Sequence, residues 1–115
     1  TYGSGCPCLY INPDLAGCTA DYLKELLGPS KAFTASALNA MSGEGKAPKS
    51  TGSEDFAYVS QEVPSIMFAL AAGTPQEGYC YPQHHPKVKF DEAVLSEGCA
   101  VYAYTAMRWL TEHKN

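Results

Sequence analysis

The sequence predicts an α/β fold in which helices pack on a small, mainly parallel β-sheet. Two segments with helical periodicity begin near Asp14 and Asp91. The run Ser65–Ala72 is almost continuously apolar, which is typical of a parallel strand buried on both faces. Strand-like and helical patterns alternate along the 115 residues, as they do in α/β domains.

The composition describes one globular domain and argues against two kinds of partner. Apolar residues make up 45% of the chain and charged residues 17%, so disorder is not expected. The net charge of −4, with only 8 Lys and Arg, predicts no nucleic-acid partner. Because no apolar run approaches the roughly 20 residues of a membrane span, we also expect no membrane partner.

The five cysteines predict a reduced, cytoplasmic protein. Their number is odd, and their spacing matches no paired Cys-x-x-Cys zinc pattern. No basic and apolar leader precedes them. We therefore expect small, mostly buried thiols, although a metal role for Cys80 stays open. The positions are Cys6, Cys8, Cys18, Cys80 and Cys99.

The first elements are a short strand and a helix. Cys8–Ile11 is β-prone and is ended by Asn12-Pro13. A helix then begins at Asp14, shows apolar residues at steps of three and four, and ends at Gly28-Pro29. The next segment, 31–40, is ambiguous and allows a short strand.

A loop and a short helix follow. Residues 42–52 contain Gly, Pro and Lys and little apolar content, which predicts a loop. A helix from Glu54 to about Gln61 is then capped either by Ser53 or by a capping box between Thr51 and Glu54. On composition alone, the acidic residues here serve only to cap the helix.

The last helix is predicted from Asp91 to about His113, after the apolar run ending at Gly73. Its apolar residues recur at helical spacing and predict one buried face. Those residues are Leu95, Cys99, Tyr102, Ala106, Trp109 and Leu110.

The segment Tyr79–Phe90, which we name the His loop, carries adjacent histidines between Pro82 and Pro86. Loops between a strand and a helix are where α/β proteins place binding groups. The alternative is a solvated loop with two incidental histidines. Metal sites need three or four convergent ligands. The ligand-type residues near the predicted strand ends, Glu54, Asp55, His84 and His85, do not complete one.

Several motifs occur together in a familiar order. They are Cys6-Pro-x-Leu-Tyr-Ile-Asn-Pro13, Gly52-Ser-Glu-Asp-Phe56, Tyr81-Pro-Gln-His-His-Pro-Lys87 and Phe90-Asp-Glu-Ala93. In this combination the chain resembles the carboxyl-terminal part of the metal-dependent amidohydrolases of metallopeptidase family twenty. That branch includes aminoacylases, hippurate hydrolases and auxin-conjugate hydrolases. The resemblance covers nearly the whole chain.

The resemblance implies a site with two divalent metals, Zn or Mn, in the full-length parent. It assigns one metal ligand to His84, with His85 as the alternative ligand or a residue behind it. Glu54 and Asp55 match a segment that lines or supports the site. The family's general base has no counterpart here, so we expect no catalytic residue in this chain and no activity from the chain alone.

The resemblance also implies a domain organisation. Residues 1–12 would end a strand of the lid or dimerisation domain and form the linker. Residues 13–115 would be the C-terminal part of a zinc-peptidase-like catalytic domain. The parent would be a homodimeric hydrolase of N-acyl amino acids or small peptide-like amides. The alternative is a non-catalytic binding domain on the same scaffold, and the mass of the native protein separates the two.

Overall fold

Three α-helices lie wholly within the part of the chain that the computed structural model describes, residues 5–37 and 52–114. Short 3₁₀ turns precede the His loop and the last helix. Contacts divide the chain into two compact units, Thr1–Met67 and Phe68–Asn115, which we describe separately. The helices are α1 (Pro13–Leu27), α2 (Phe56–Glu62) and α3 (Leu95–Glu112), and the 3₁₀ turns are Pro75–Glu77 and Glu92–Val94.

Helix α1 confirms the first helix prediction, and its ends show why it forms there. The Asn12 side chain accepts a hydrogen bond from the Leu15 N–H at 2.9 Å, and Pro13 occupies the first turn, where no N–H is needed. At the other end, Gly28 has a φ of 88° and its N–H donates to the Lys24 carbonyl. A residue without a Cβ adopts this positive φ most easily. The helix therefore stops where the sequence places glycine.

The predicted strand Cys8–Ile11 is wrong, because its backbone bonds to side chains of α2 and not to a neighbouring strand. The Tyr10 N–H donates to the Ser60 hydroxyl at 3.0 Å. The Gln61 amide donates to the Cys8 carbonyl at 2.7 Å. These bonds satisfy backbone groups that a ladder would otherwise pair. The segment therefore belongs to no sheet among the described residues.

The predicted buried strand Ser65–Ala72 is also wrong. Its described residues belong to no strand. Among the described residues, backbone hydrogen bonds reach the two ends of the segment: the Ser65 carbonyl accepts from the Asn12 N–H in the first unit, and the Ala72 carbonyl accepts from the Asp91 N–H in the second. Met67 is 49% exposed and Leu70 45%. A continuous apolar run therefore does not mean burial in this protein.

The predicted fold class is contradicted by these findings. Within residues 5–37 and 52–114 the regular structure is helical and no β-strand occurs, so the expected α/β domain with a small parallel sheet is not what forms. A strand exists only when a second strand pairs with its backbone. The β-prone segments here meet helices and loops instead.

Helix α3 confirms the last helix prediction, and the segment before it packs on it. The Asp91 carboxylate accepts from the Ala93 N–H at 3.0 Å and starts the turn that leads into α3. Phe68 meets Tyr102 edge to face, with ring centroids 5.5 Å apart. These contacts lie within the second unit.

The apolar face predicted for α3 is not buried. Tyr102 is 68% exposed and Leu110 is 61% exposed, whereas Val101, outside the predicted stripe, is buried. Periodicity shows which side chains share a face of the helix. It does not show whether another element covers that face.

Two further predictions fall on segments that are described only in part. Residues 35–37 are helical, and the Thr34 hydroxyl accepts from the Ala37 N–H at 3.1 Å, so the optional strand does not form there. The rest of that segment and residues 42–51 of the predicted loop at 42–52 lie outside the described residues. None of the described helices has the length and apolar character needed to cross a membrane.

Candidate functional site

Two consecutive turns shape the centre of the His loop. The His85 N–H donates to the Pro82 carbonyl at 3.2 Å and closes a turn whose third residue is His84. The Val88 N–H donates to the His85 carbonyl at 3.0 Å and closes the next turn. The prolines favour this arrangement, because each fixes its own φ and donates no hydrogen bond. His85 thus ends one turn and begins the other.

His84 has an unusual backbone conformation. Its φ of 67° is the only positive φ of a non-glycine residue in the described part of the chain. The third position of several turn types requires such a φ and is usually filled by Gly or Asn. A left-handed conformation costs a residue with a Cβ about 1–2 kcal/mol. Such strain persists where surrounding contacts enforce it, and it is concentrated at functional sites.

The two histidine rings have different surroundings. The His84 residue is exposed, and its side chain makes no hydrogen bond, ion pair or ring contact among the described residues. The His85 ring stacks on the Tyr81 ring, with centroids 4.4 Å apart and planes at 13°. Nδ1 of His85 also accepts the Lys87 backbone N–H at 3.1 Å. Of the two rings, only that of His84 has both nitrogens without a hydrogen-bond partner among the described residues.

The contacts of His85 are strong enough to hold the turn. A ring stack contributes about 0.5–1.5 kcal/mol beyond its buried area. A hydrogen bond contributes about 0.5–1.5 kcal/mol net. Lys87 adds a cation–π contact, with its Nζ 5.9 Å from the centre of the Tyr81 ring. Together these interactions are comparable to the cost of the left-handed backbone at His84.

Glu54 and Asp55 lie in the first unit, at the start of α2. One Glu54 carboxylate oxygen accepts from the Phe56 N–H at 3.2 Å. The backbone carbonyl of Glu54 accepts from the Cys6 thiol. Asp55 is exposed and takes the N-cap position without a capping side-chain bond. The predicted cap at Ser53 is therefore wrong, and the alternative box with Thr51 falls outside the described residues.

The described residues form no complete metal centre. No group of three or more His, Cys, Asp or Glu side chains with metal-binding geometry occurs among them. An accessible imidazole is a suitable ligand for zinc and for several other divalent metals. His84 fits that requirement by its chemistry and exposure. The other ligands of any site would have to come from elsewhere.

A depression of about 740 Å³ lies in the second unit, where the two ends of the His loop meet the start of α3. Its lining is mainly apolar and includes Leu70, Tyr79, Phe90 and Leu95. Neither His84 nor His85 lines it. We therefore do not assign this depression to metal chemistry.

Sequence reasoning missed the parts played by Tyr81 and Lys87. In the sequence Tyr81 is only one residue of a motif. Lys87 contacts His85 through its backbone N–H, which no side-chain pattern reveals. The available signal was an aromatic residue four positions before a histidine, in a loop that contains two prolines. Recognising the pair required the fold of the loop.

Comparisons with known proteins agree on one family. The sequence profile of peptidase family M20/M25/M40 matches residues 20–108. A probable hydrolase, sll0100, from Synechocystis sp. is 35% identical over 60 residues, which is 52% of this chain and 15% of that protein. IAA-amino acid hydrolase ILR1-like 6 from Arabidopsis thaliana is 33% identical over 66 residues, which is 57% of this chain and 14% of that protein.

An archaeal relative extends the comparison. Thermostable carboxypeptidase 2 from Saccharolobus solfataricus is 34% identical over 58 residues, which is 50% of this chain and 15% of that protein. The matched segments thus span only 14–15% of the length of these relatives. No solved structure matches significantly. Because the family profile covers most of the sequence, the chain belongs to peptidase family M20/M25/M40.

Proposed function

We propose that this chain is part of a metal-dependent amidohydrolase and that His84 supplies one of its metal ligands. The observation that carries the proposal is the strained backbone of His84 together with its accessible ring. A turn without a function at this position would gain stability by having glycine there. The presence of histidine at this position is explained if its imidazole ring binds the metal.

Family membership supports the reaction class. The relatives that match are named a hydrolase, an IAA-amino acid hydrolase and a carboxypeptidase. Two of these names describe cleavage of an amide bond next to an amino acid. By analogy, we assign to the whole protein the hydrolysis of N-acyl amino acids or small peptide-like amides.

The residues of this chain have limited roles in that reaction. His84 would hold a Zn or Mn ion through a ring nitrogen, and we expect two such ions in the complete site. When bound, a divalent metal polarises the amide carbonyl and activates water. Glu54 and Asp55 would line or support the site. We place no general base among these residues, so the chain by itself should not catalyse hydrolysis.

The remaining parts of the proposal concern the whole protein. Five free cysteines suit a reducing compartment, and we place the protein in the cytoplasm. We also propose a homodimeric parent, in which residues 1–12 end the lid or dimerisation domain and residues 13–115 belong to the catalytic domain. Native mass and sedimentation of the parent test these assignments.

Metal-dependent release of amino acid from N-acetyl and N-benzoyl amino acids tests the proposed reaction. The full-length protein should catalyse it after loading with Zn²⁺ or Mn²⁺, and a chelator should abolish it. The 115-residue chain, assayed in parallel, should be inactive. A full-length protein that binds these compounds without cleaving them would favour the non-catalytic binding domain instead.

A further inference from the structure

The His85 ring accepts a hydrogen bond at Nδ1 from the backbone N–H of Lys87. A backbone N–H can only donate, so the Nδ1 atom that accepts from Lys87 must carry a lone pair. In a neutral imidazole the proton is then on Nε2. A neutral ring has one lone pair, and in His85 it is directed at the Lys87 amide. The ring therefore has no free lone pair for a metal.

Tyr81, which stacks on His85, provides the second contact to the His85 ring. The Tyr81 ring lies nearly parallel to the His85 ring, and the Lys87 ammonium group approaches the same tyrosine ring. The backbone of His85 ends the turn that contains His84. Contacts to the His85 side chain therefore hold in place the residue whose N–H closes this turn. The closed turn then fixes the left-handed conformation of His84.

We propose that Tyr81 is a positioning residue, which stacks on His85 and so presents the His84 ring for metal binding. His85 is then a support for the loop rather than an alternative ligand. The inference rests on the proposed function, because it assumes that His84 binds the metal. Tyr81 would then affect metal binding only indirectly, through His85 and the backbone of the turn.

The first test uses the unaltered full-length protein labelled with ¹⁵N-histidine. Long-range ¹H–¹⁵N spectra distinguish a protonated ring nitrogen from one that carries a lone pair. His85, assigned by the loss of its signals in His85→Gln, should show Nδ1 unprotonated and Nε2 protonated, with or without Zn²⁺. A Nδ1-protonated ring, or a coordination shift at either His85 nitrogen upon addition of Zn²⁺, would overturn the proposal.

The second test compares two substitutions of Tyr81. Tyr81→Leu removes the stacked ring and should weaken Zn²⁺ binding by about 10–100-fold, as loss of supporting contacts around a ligand usually does. It should also remove the single tautomer of His85 from the spectra. Tyr81→Phe keeps the ring and should restore both properties. Tyr102→Leu, which removes another exposed tyrosine of the same unit, is the matched control and should leave Zn²⁺ affinity unchanged.

Zn²⁺ affinity is measured by competition with a chelator, so this readout does not depend on turnover. Unchanged affinity in Tyr81→Leu, combined with loss of Zn²⁺ in His84→Ala, would disprove the role of Tyr81 and leave the proposed function intact. Retention of full Zn²⁺ binding by His84→Ala would disprove the proposed function itself. If Tyr81→Leu does not fold, the spectra of the unaltered protein still decide the role of His85.

Discussion

Gly73 lies directly against the ring of Tyr79. A Cβ atom placed on Gly73 would overlap Cγ, Cδ2 and Cε2 of that ring, and the φ of Gly73 is 107°. The contact joins the end of the extended apolar segment to the start of the His loop. Between them, the Thr74 hydroxyl and N–H both donate to the Glu77 carboxylate. The entrance to the loop is thus a tight, specifically closed turn.

Gly73→Ala should destabilise the protein more than a neighbouring glycine substitution. Overlap with a packed ring costs about 1–3 kcal/mol, in addition to the penalty of a positive φ. Gly78→Ala is the matched control, since Gly78 has a φ of 96° but no atom within 4 Å of the added Cβ. Urea unfolding of both variants measures the difference. Equal losses would show that the Tyr79 ring moves aside freely.

Asn12→Ala should lower the free energy of unfolding by about 1 kcal/mol. The substitution removes the side-chain oxygen that accepts the Leu15 N–H at 2.9 Å and leaves the first turn of α1 without its cap. Asn12→Asp keeps an accepting oxygen and should retain most of the stability. Thermal unfolding of the two variants checks the prediction. A loss in Asn12→Asp as large as in Asn12→Ala would show that the cap is not the cause.

His84→Gly should give a more stable protein than His84→Ala, by about 1–2 kcal/mol, because only glycine adopts the left-handed conformation without a Cβ penalty. Both substitutions remove the imidazole, so any effect of the ring cancels between them. Urea unfolding in the absence of metal provides the comparison. If alanine is as stable as glycine, the backbone of this turn is not strained.

The isolated chain should self-associate. Tyr102 and Leu110 on α3 are more than half exposed, and contiguous exposed apolar side chains favour association. Sedimentation velocity over a wide concentration range should show species larger than the monomer. Leu110→Gln should shift the distribution towards the monomer, and Lys24→Gln on α1 should not. A concentration-independent monomer would contradict this prediction.

Local signals predicted the helices well. Asn12-Pro13 and Gly28 mark the two ends of α1, and Asp91 marks the turn that leads into α3. Each of these features acts within one turn of helix, so the sequence contains all the information needed. The helices could be predicted because their backbone bonds close within the segment.

The predicted strands failed because pairing is not local. The backbone of Cys8–Ile11 bonds to side chains of α2. Ser65–Ala72 pairs with no strand among the described residues and exposes apolar groups such as Met67. The apolar face of α3 failed for a related reason, since burial depends on what another element covers. Composition could not reveal either outcome.

The candidate site was predictable only in its residue types. Adjacent histidines between prolines indicated the loop, and resemblance to a family selected His84. The left-handed backbone of His84 could not be predicted, because non-glycine residues adopt that conformation rarely, even though histidine is one of the enriched types. The Lys87 amide bond to His85 is equally invisible in the sequence, since a backbone group makes it.

Metal content of two single variants of the full-length protein tests whether His84 is the metal ligand of this loop. His84→Ala should lose bound metal and most turnover, whereas His85→Ala should keep the metal, with affinity and rate lowered by about 10–100-fold. Metal per protein is measured by elemental analysis after dialysis against metal-free buffer, alongside the unaltered protein. We expect loss of metal in His84→Ala alone. Loss of metal in His85→Ala with retention in His84→Ala, or full metal and rate in both variants, would contradict it.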